Sequence, residues 1–221
     1  MHPFTSKFII YCKNNFDLTQ PIGYDYKSIS VCILDYIYSL NAKYKSAANV
    51  IDKYAAAYMG GDKCASGDTV MNLLNNIDTI GGPEEFMGKI LKNNQKGGGK
   101  KSIPKEQICY QLAQYLSYLH IDTMEDFKNY EHQDFLETVI RTVPGIGEAG
   151  VQYLFMLVGD ENRCKPDVWI HRSIEKGCGQ DISDEDCQIL FKETVEELKK
   201  EYPSLTVRGL DGIIWYNDRK K

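Results

Sequence analysis

The sequence predicts an all-α fold. Apolar residues recur at three-and-four spacing through most of the 221 residues, the pattern of amphipathic helices. Sustained period-two alternation in Val, Ile and Thr is nearly absent, so no sheet is expected. Ser, Thr, Asp and Pro open the periodic segments and glycines close them, as helix termini require.

The elements follow in order. Residues 24–40 read as a first helix burying Ile29, Ile33, Ile37 and Leu40, and the alanine-rich segment 43–59 as a second, stopped by Gly60 and Gly61. Gly67 and Asp68 open a short helix through Ile77, with Asp68 as its cap; Gly81, Gly82 and Pro83 then turn the chain into a helix over 84–91. Pro104 starts a helix through Leu119 whose apolar face carries Ile108, Leu112, Tyr115 and Leu116. Two short helices follow. Segment 123–130 has a threonine cap and acids at Glu125 and Asp126, and segment 132–142 carries Phe135, Leu136, Val139 and Ile140. After VPGIG at 143–147 comes an apolar, interior helix over 148–158. A polar turn over 159–166 leads into a helix over 167–176. Segment 183–202 is an amphipathic helix begun by Ser183, and 210–219 closes the chain with Ile213, Ile214 and Trp215. There is no internal repeat at a fixed period.

Bulk composition narrows the function classes. A 43% hydrophobic content suffices for one core or two small lobes. No apolar run approaches the roughly 20 residues of a spanning helix, and the first ten residues lack a signal-peptide pattern, so no membrane association is expected. Seven cysteines, an odd number without a CxxC pair, fit reduced thiols in a cytosolic compartment. The expected location is the cytoplasm, at the nucleoid in a prokaryote, or the nucleus in a eukaryote. A net charge of -5 and a pI near 5.4 weigh against binding of nucleic acid by bulk electrostatics. Any DNA role must rest on local features. One candidate is segment 92–105, KNNQKGGGKKSIPK, with five lysines and no acid. It reads either as a solvated loop or as a flexible phosphate contact through Lys100 and Lys101.

The informative stretch is 142–172, TVPGIGEAGVQYLFMLVGDENRCKPDVWIHR. Pro144 fixes its own φ and pushes Val143 out of helix, while Gly145 and Gly147 permit left-handed or closely approached backbone. One helix therefore ends and another begins within a tight hairpin. Such a turn either merely joins two helices or exposes main-chain N–H groups where an anion is favoured.

VPGIG, the apolar helix and then KPDVWIHR at 165–172 together resemble the helix-hairpin-helix and Gly-Pro-Asp signature of the endonuclease-III-like DNA glycosylase superfamily. Asp167, Ile170 and Arg172 match its D-x-x-[IV]-x-R context. Segment 38–54 is similar to the family's helix pair, with Asn41 where a gap-filling glutamine is usual. The resemblance implies a two-lobed helical glycosylase-like fold with a central cleft. Residues 24–142 would form a barrel-like lobe, 143–176 the hairpin and catalytic helix, and 1–23 with 177–221 a terminal lobe. Val143, Gly145, Ile146, Gly147 and Ala149 would hold a DNA phosphate, with Asn41, Lys100 and Lys101 as further contacts. Asp167 would be the catalytic carboxylate, acting on double-stranded DNA that carries a damaged or modified base. Its plain alternative is a helix cap. Trp169 and Tyr38 are candidates for the base pocket, and core aromatics otherwise.

Departures from the pattern sharpen the expectation. Bifunctional relatives place a lysine two residues after the second hairpin glycine, where this chain has Ala149, so no Schiff base can form there. After Cys187 there is no cysteine, so the iron-sulfur loop is missing and no cofactor is expected. Cys164, His171, Cys178 and Cys187 lack the tight ligand spacing of a structural zinc site. The sequence thus points to a monomeric, monofunctional DNA glycosylase without lyase activity. A catalytically inactive DNA-binding relative and a helical protein-interaction module are the alternatives.

Overall fold

The computed structural model describes residues 2–20, 25–97 and 101–219, with Glu148 described by its backbone alone. The helices are α1 (Thr5–Asn15), α2 (Ile29–Ser39), α3 (Tyr44–Tyr58), α4 (Val70–Thr79), α5 (Pro83–Phe86), α6 (Lys105–Tyr118), α7 (Met124–Asn129), α8 (Gln133–Thr142), α9 (Glu148–Val158), α10 (Val168–Cys178), α11 (Asp184–Leu198) and α12 (Val207–Asp218). The fold class is all-α, as the sequence predicts. Among the described residues the only strand pairing is a two-residue antiparallel ladder, β1 (Lys96–Gly97) with β2 (Ile103–Pro104). It departs from the sheet-free expectation because Pro104 holds an extended backbone and the next amide, Lys105 N–H, donates to Gln95 O at 3.0 Å.

The chain divides into two compact units, residues 25–158 and residues 1–24 with 159–221. In the first, α2 is buried on nearly every side and packs against α3, α6 and α9. A Cβ on Gly150 of α9 would lie 3.2 Å from the Tyr36 hydroxyl and 3.3 Å from Leu40 Cδ2, so the missing side chain sets how closely α9 approaches α2. In the second unit, α1 packs on α10 and α11, and α12 on both of these. Phe8, Cys12, Ile174, Leu190, Phe191 and Ile214 share its core.

Local differences from the sequence reading have tertiary causes. The helix expected over 24–40 begins at Ile29; Tyr24 lies outside the described residues. Ser28 is extended, donating its hydroxyl to Ala65 O at 2.7 Å and accepting the Asp68 N–H at 3.1 Å. Asp68 does not cap α4. Thr69 does, accepting the Asn72 N–H at 3.1 Å, while Asp68 accepts the hydroxyls of Ser30 and Tyr54. The helix over 84–91 widens into a π-turn at Met87–Leu91, ended by left-handed Lys92. Helix α1 has no counterpart in the sequence reading: apolar residues fall on several of its faces, and no side-chain hydrogen bond from its N-cap residue, Phe4, marks its start.

The least expected core residue is Lys105. It is 2% exposed, and its ammonium donates to Tyr38 O at 3.1 Å, Leu40 O at 2.6 Å and Gln95 Oε1 at 3.3 Å. It thus satisfies carbonyls that the end of α2 leaves unpaired. Burial pushes its ammonium down to about 8 from an ordinary 10.5. Between those values the unfolded chain binds a proton that the folded chain does not. The Lys105 contribution to stability should therefore rise with pH across that window. Denaturant unfolding from about pH 7.5 to about pH 10.5 should show wild type gaining on Lys105→Met. A constant difference would mean that Lys105 keeps its ordinary titration.

Candidate functional site

Helix α8 ends at Val143, which is extended and donates its N–H to Ile140 O at 3.1 Å. Ile146 N–H then returns to Val143 O at 3.2 Å, with Pro144 second and Gly145 third in the turn. Gly145 has φ +88, the left-handed position that a Pro-Gly β-turn of type II demands. Gly147 O accepts the Val151 N–H at 3.1 Å and so opens α9. Val143 and Ile146 are buried, whereas Gly145 and Gly147 are exposed. The apolar pair thus anchors the bend in its unit, and the glycines turn bare backbone to solvent. A Cβ on Gly147 would meet nothing within 4 Å. Ala149 is half-buried and offers no amine.

The same unit holds the other proposed contacts. Asn41 is exposed at φ 50, a left-handed turn residue just beyond α2, and the tolerance of Asn for that conformation accounts for it locally. Lys101 is exposed; Lys100 lies outside the described residues. Tyr38 is wholly buried, with the Lys105 ammonium 5.9 Å from its ring centroid, so its ring has no exposed face for a base.

The second unit carries Asp167 and Trp169. Asp167 is half-buried and caps α10: its Oδ1 accepts the Trp169 N–H at 2.8 Å and the Ile170 N–H at 3.3 Å. Its Oδ2 has no hydrogen bond among the described residues. The positive end of α10 favours a carboxylate there. The remaining signature residues have separate tasks. Ile170 enters the core, and the Arg172 guanidinium lies 5.2 Å from the half-buried Trp169 ring. His171 meets Asp181 through Nδ1 at 2.6 Å and Asp184 through Nε2 at 3.0 Å. Burial works against its charge, but these two partners outweigh it and hold the imidazole above its usual value. Cys164, Cys178 and Cys187 lie in the apolar core, and burial raises each thiol.

One residue that the sequence reading missed adjoins Asp167. Asp211 on α12 is 3% exposed, and its Oδ1 accepts the Lys165 N–H at 2.8 Å. Its sequence signal was legible, since it occupies the same helical stripe as Val207 and Ile214, where an apolar residue is expected.

The model of a family described as Domain of unknown function (DUF8548) matches residues 8–219, and the chain belongs to that family. No curated protein matches the sequence. A solved structure described as MBOgg1 in complex with a low affinity DNA ligand has a similar fold, with a TM-score of 0.55 and 14% identity over 87% of this chain. The matched region spans 60% of that protein.

The two hairpin glycines should respond differently to substitution. Gly145→Ala forces a side chain into left-handed backbone and should cost about 1–2 kcal/mol in denaturant unfolding. Gly147→Ser, in open space at a cap position, should leave stability within about 0.5 kcal/mol. Equal effects would show that the bend relaxes in solution.

Proposed function

We propose that this DUF8548 member is a monofunctional DNA glycosylase. It would bind duplex DNA, flip out a damaged or modified base and hydrolyse its N-glycosidic bond, leaving the strand intact. The observation that carries this reading is the disposition of Asp167: one carboxylate oxygen fixed by two amides, the other uncommitted among the described residues, within the D-x-x-I-x-R setting.

The chemistry uses that arrangement directly. As the bond from C1′ to the base nitrogen breaks, its electron pair leaves with the base and positive charge builds on the sugar. A fixed carboxylate stabilises that charge. Water oxygen then bonds to C1′, and its proton passes to the carboxylate, giving an abasic site. The Ala149 side chain supplies no amine, so no Schiff base can form at that position. The exposed backbone of Gly145 and Gly147, at the start of α9, would seat a phosphate through main-chain N–H groups. Likeness in fold to a protein described in complex with DNA supports DNA as the partner.

A non-catalytic DNA-binding relative is the second reading, favoured by one observation: the Asp167 bonds to Trp169 and Ile170 are those of an ordinary helix cap.

Duplexes carrying deaminated, oxidised, alkylated or mismatched bases, treated with protein and then alkali, separate the two. Asp167→Asn should lower strand breakage by about 100-fold or more while retaining duplex binding. Binding without breakage on every lesion would leave only the second reading. Gly147→Asp tests the hairpin. A carboxylate there suits the start of α9, so stability should hold or rise by up to about 1 kcal/mol. DNA affinity should nevertheless fall at least about tenfold, because that charge would meet a phosphate. Unchanged affinity would remove the hairpin from the interface.

A further inference from the structure

The loop into α10 is held from α12. Lys165 N–H donates to Asp211 Oδ1 at 2.8 Å, and Lys165 O accepts the Asp167 N–H at 2.7 Å, closing a tight turn around Pro166. Pro166 is buried and has no N–H of its own. The Lys165 amide is therefore the last main-chain donor before Asp167, and a side chain from a distant part of the sequence fixes it.

We propose that Asp211 is a positioning residue for Asp167: by gripping the Lys165 peptide it sets where the Asp167 carboxylate emerges at the head of α10. This rests on the reading of Asp167 as the reacting carboxylate. Burial first, and the negative charge of Asp167 second, push the Asp211 carboxyl up to about 8, against the opposing Lys165 N–H and ammonium. At neutral pH Asp211 is thus a neutral acid that accepts the Lys165 N–H through its carbonyl oxygen. Asp167 alone then carries negative charge to the sugar. The surrounding charges agree with this assignment. Asp167 and Lys165 act on Asp211 directly, and both Asp211 and Lys192 of α11 act on the buried Cys164 thiol. Arg208, one turn earlier on α12, is engaged with Glu161 at 3.4 Å. Lys176 of α10 is paired with Asp218 at 3.0 Å.

A protonated carboxyl has the shape of an amide, which makes Asp211→Asn the informative variant and Asp211→Ala its contrast. Single-turnover excision should be measured from about pH 6 to about pH 9.5. At neutral pH Asp211→Asn should stay within about threefold of wild type, while Asp211→Ala should lose about tenfold or more, in the rate of the chemical step rather than in DNA affinity. Wild type should lose DNA affinity above about pH 8, as a second negative charge appears beside Asp167, and Asp211→Asn should not. Asn as impaired as Ala, Ala as active as wild type, or an alkaline loss that persists in Asn would each overturn the proposal.

Carboxyl and amide NMR on the DNA-free protein separates this inference from the reading it rests on. Asp211 should titrate near 8, and the Trp169 and Ile170 amide signals should move in Asp211→Ala but not in Asp211→Asn. If wild type excises nothing yet those signals behave so, the glycosylase reading fails and the positioning contact stands. If Asp211 titrates near about 4, or Asp211→Ala leaves the two amides unmoved, the contact itself is wrong. Should Asp211→Ala not fold, the wild-type titration and the Asn pH profile decide alone.

Discussion

The start of an α-helix leaves backbone N–H groups that the helix itself cannot pair. Helices α9 and α10, consecutive in the chain, meet that constraint in opposite ways. At α10 the chain supplies the acceptor, because Asp167 bends back onto the Trp169 and Ile170 amides and is thereby immobilised. At α9 the opening residue is Gly147, which has no side chain to offer, and the preceding Pro144 and Gly145 hold the bend in a shape that leaves both glycines exposed. One terminus fixes a carboxylate, and the other presents backbone. The proposed function uses both properties, and each follows from the same requirement for paired amides.

Two buried ionisable residues hold irregular turns, each from within its own unit. Lys105 donates to carbonyls at the end of α2, just before Asn41, and Asp211 accepts the amide that precedes Pro166 and Asp167. In each case a side chain completes hydrogen bonds that an irregular turn cannot make for itself. Burial moves both groups toward neutrality near physiological pH, the ammonium downward and the carboxyl upward. Leaving the turn carbonyls or the turn amide unpaired in the interior would cost about 1–3 kcal/mol per group, which accounts for polar residues at positions otherwise suited to Leu or Met.

Legibility in the sequence tracks how local each cause is. The VPGIG bend was readable because proline and glycine act on their own φ and ψ, and Asp167 was readable as a cap because its partners lie two and three residues on. The helices over 44–58, 105–118 and 148–158 followed from periodicity to within a residue or so. What escaped depends on distant partners. Ser28 is drawn out of α2 by Ala65 and Asp68, and the bonds of Asp68 to Ser30 and Tyr54 hand the capping of α4 to Thr69. Lys105 looked like one more member of a basic loop, yet a lysine in the first turn of a helix opposes the macrodipole, and that was the available clue. Tyr38 offered no clue at all, since an aromatic on a helix reads the same whether it lies in a pocket or in the core.

An overall charge of -5 looks ill suited to a duplex until the proposed contact is considered atom by atom. A main-chain N–H attracts phosphate through a partial charge that no titration removes and no lysine need supply, so an anion seat of this kind is compatible with an acidic chain. The same reasoning bears on the acid beside Asp167. A polyanionic partner penalises every additional negative charge at its surface, while the departing base calls for one carboxylate at the sugar and gains nothing from two. Burying Asp211 near Asp167 reconciles these demands, since burial first and the neighbouring carboxylate second raise the cost of ionising Asp211. The neutral acid retains its grip on the Lys165 amide, and the geometry of the turn is kept without a second charge.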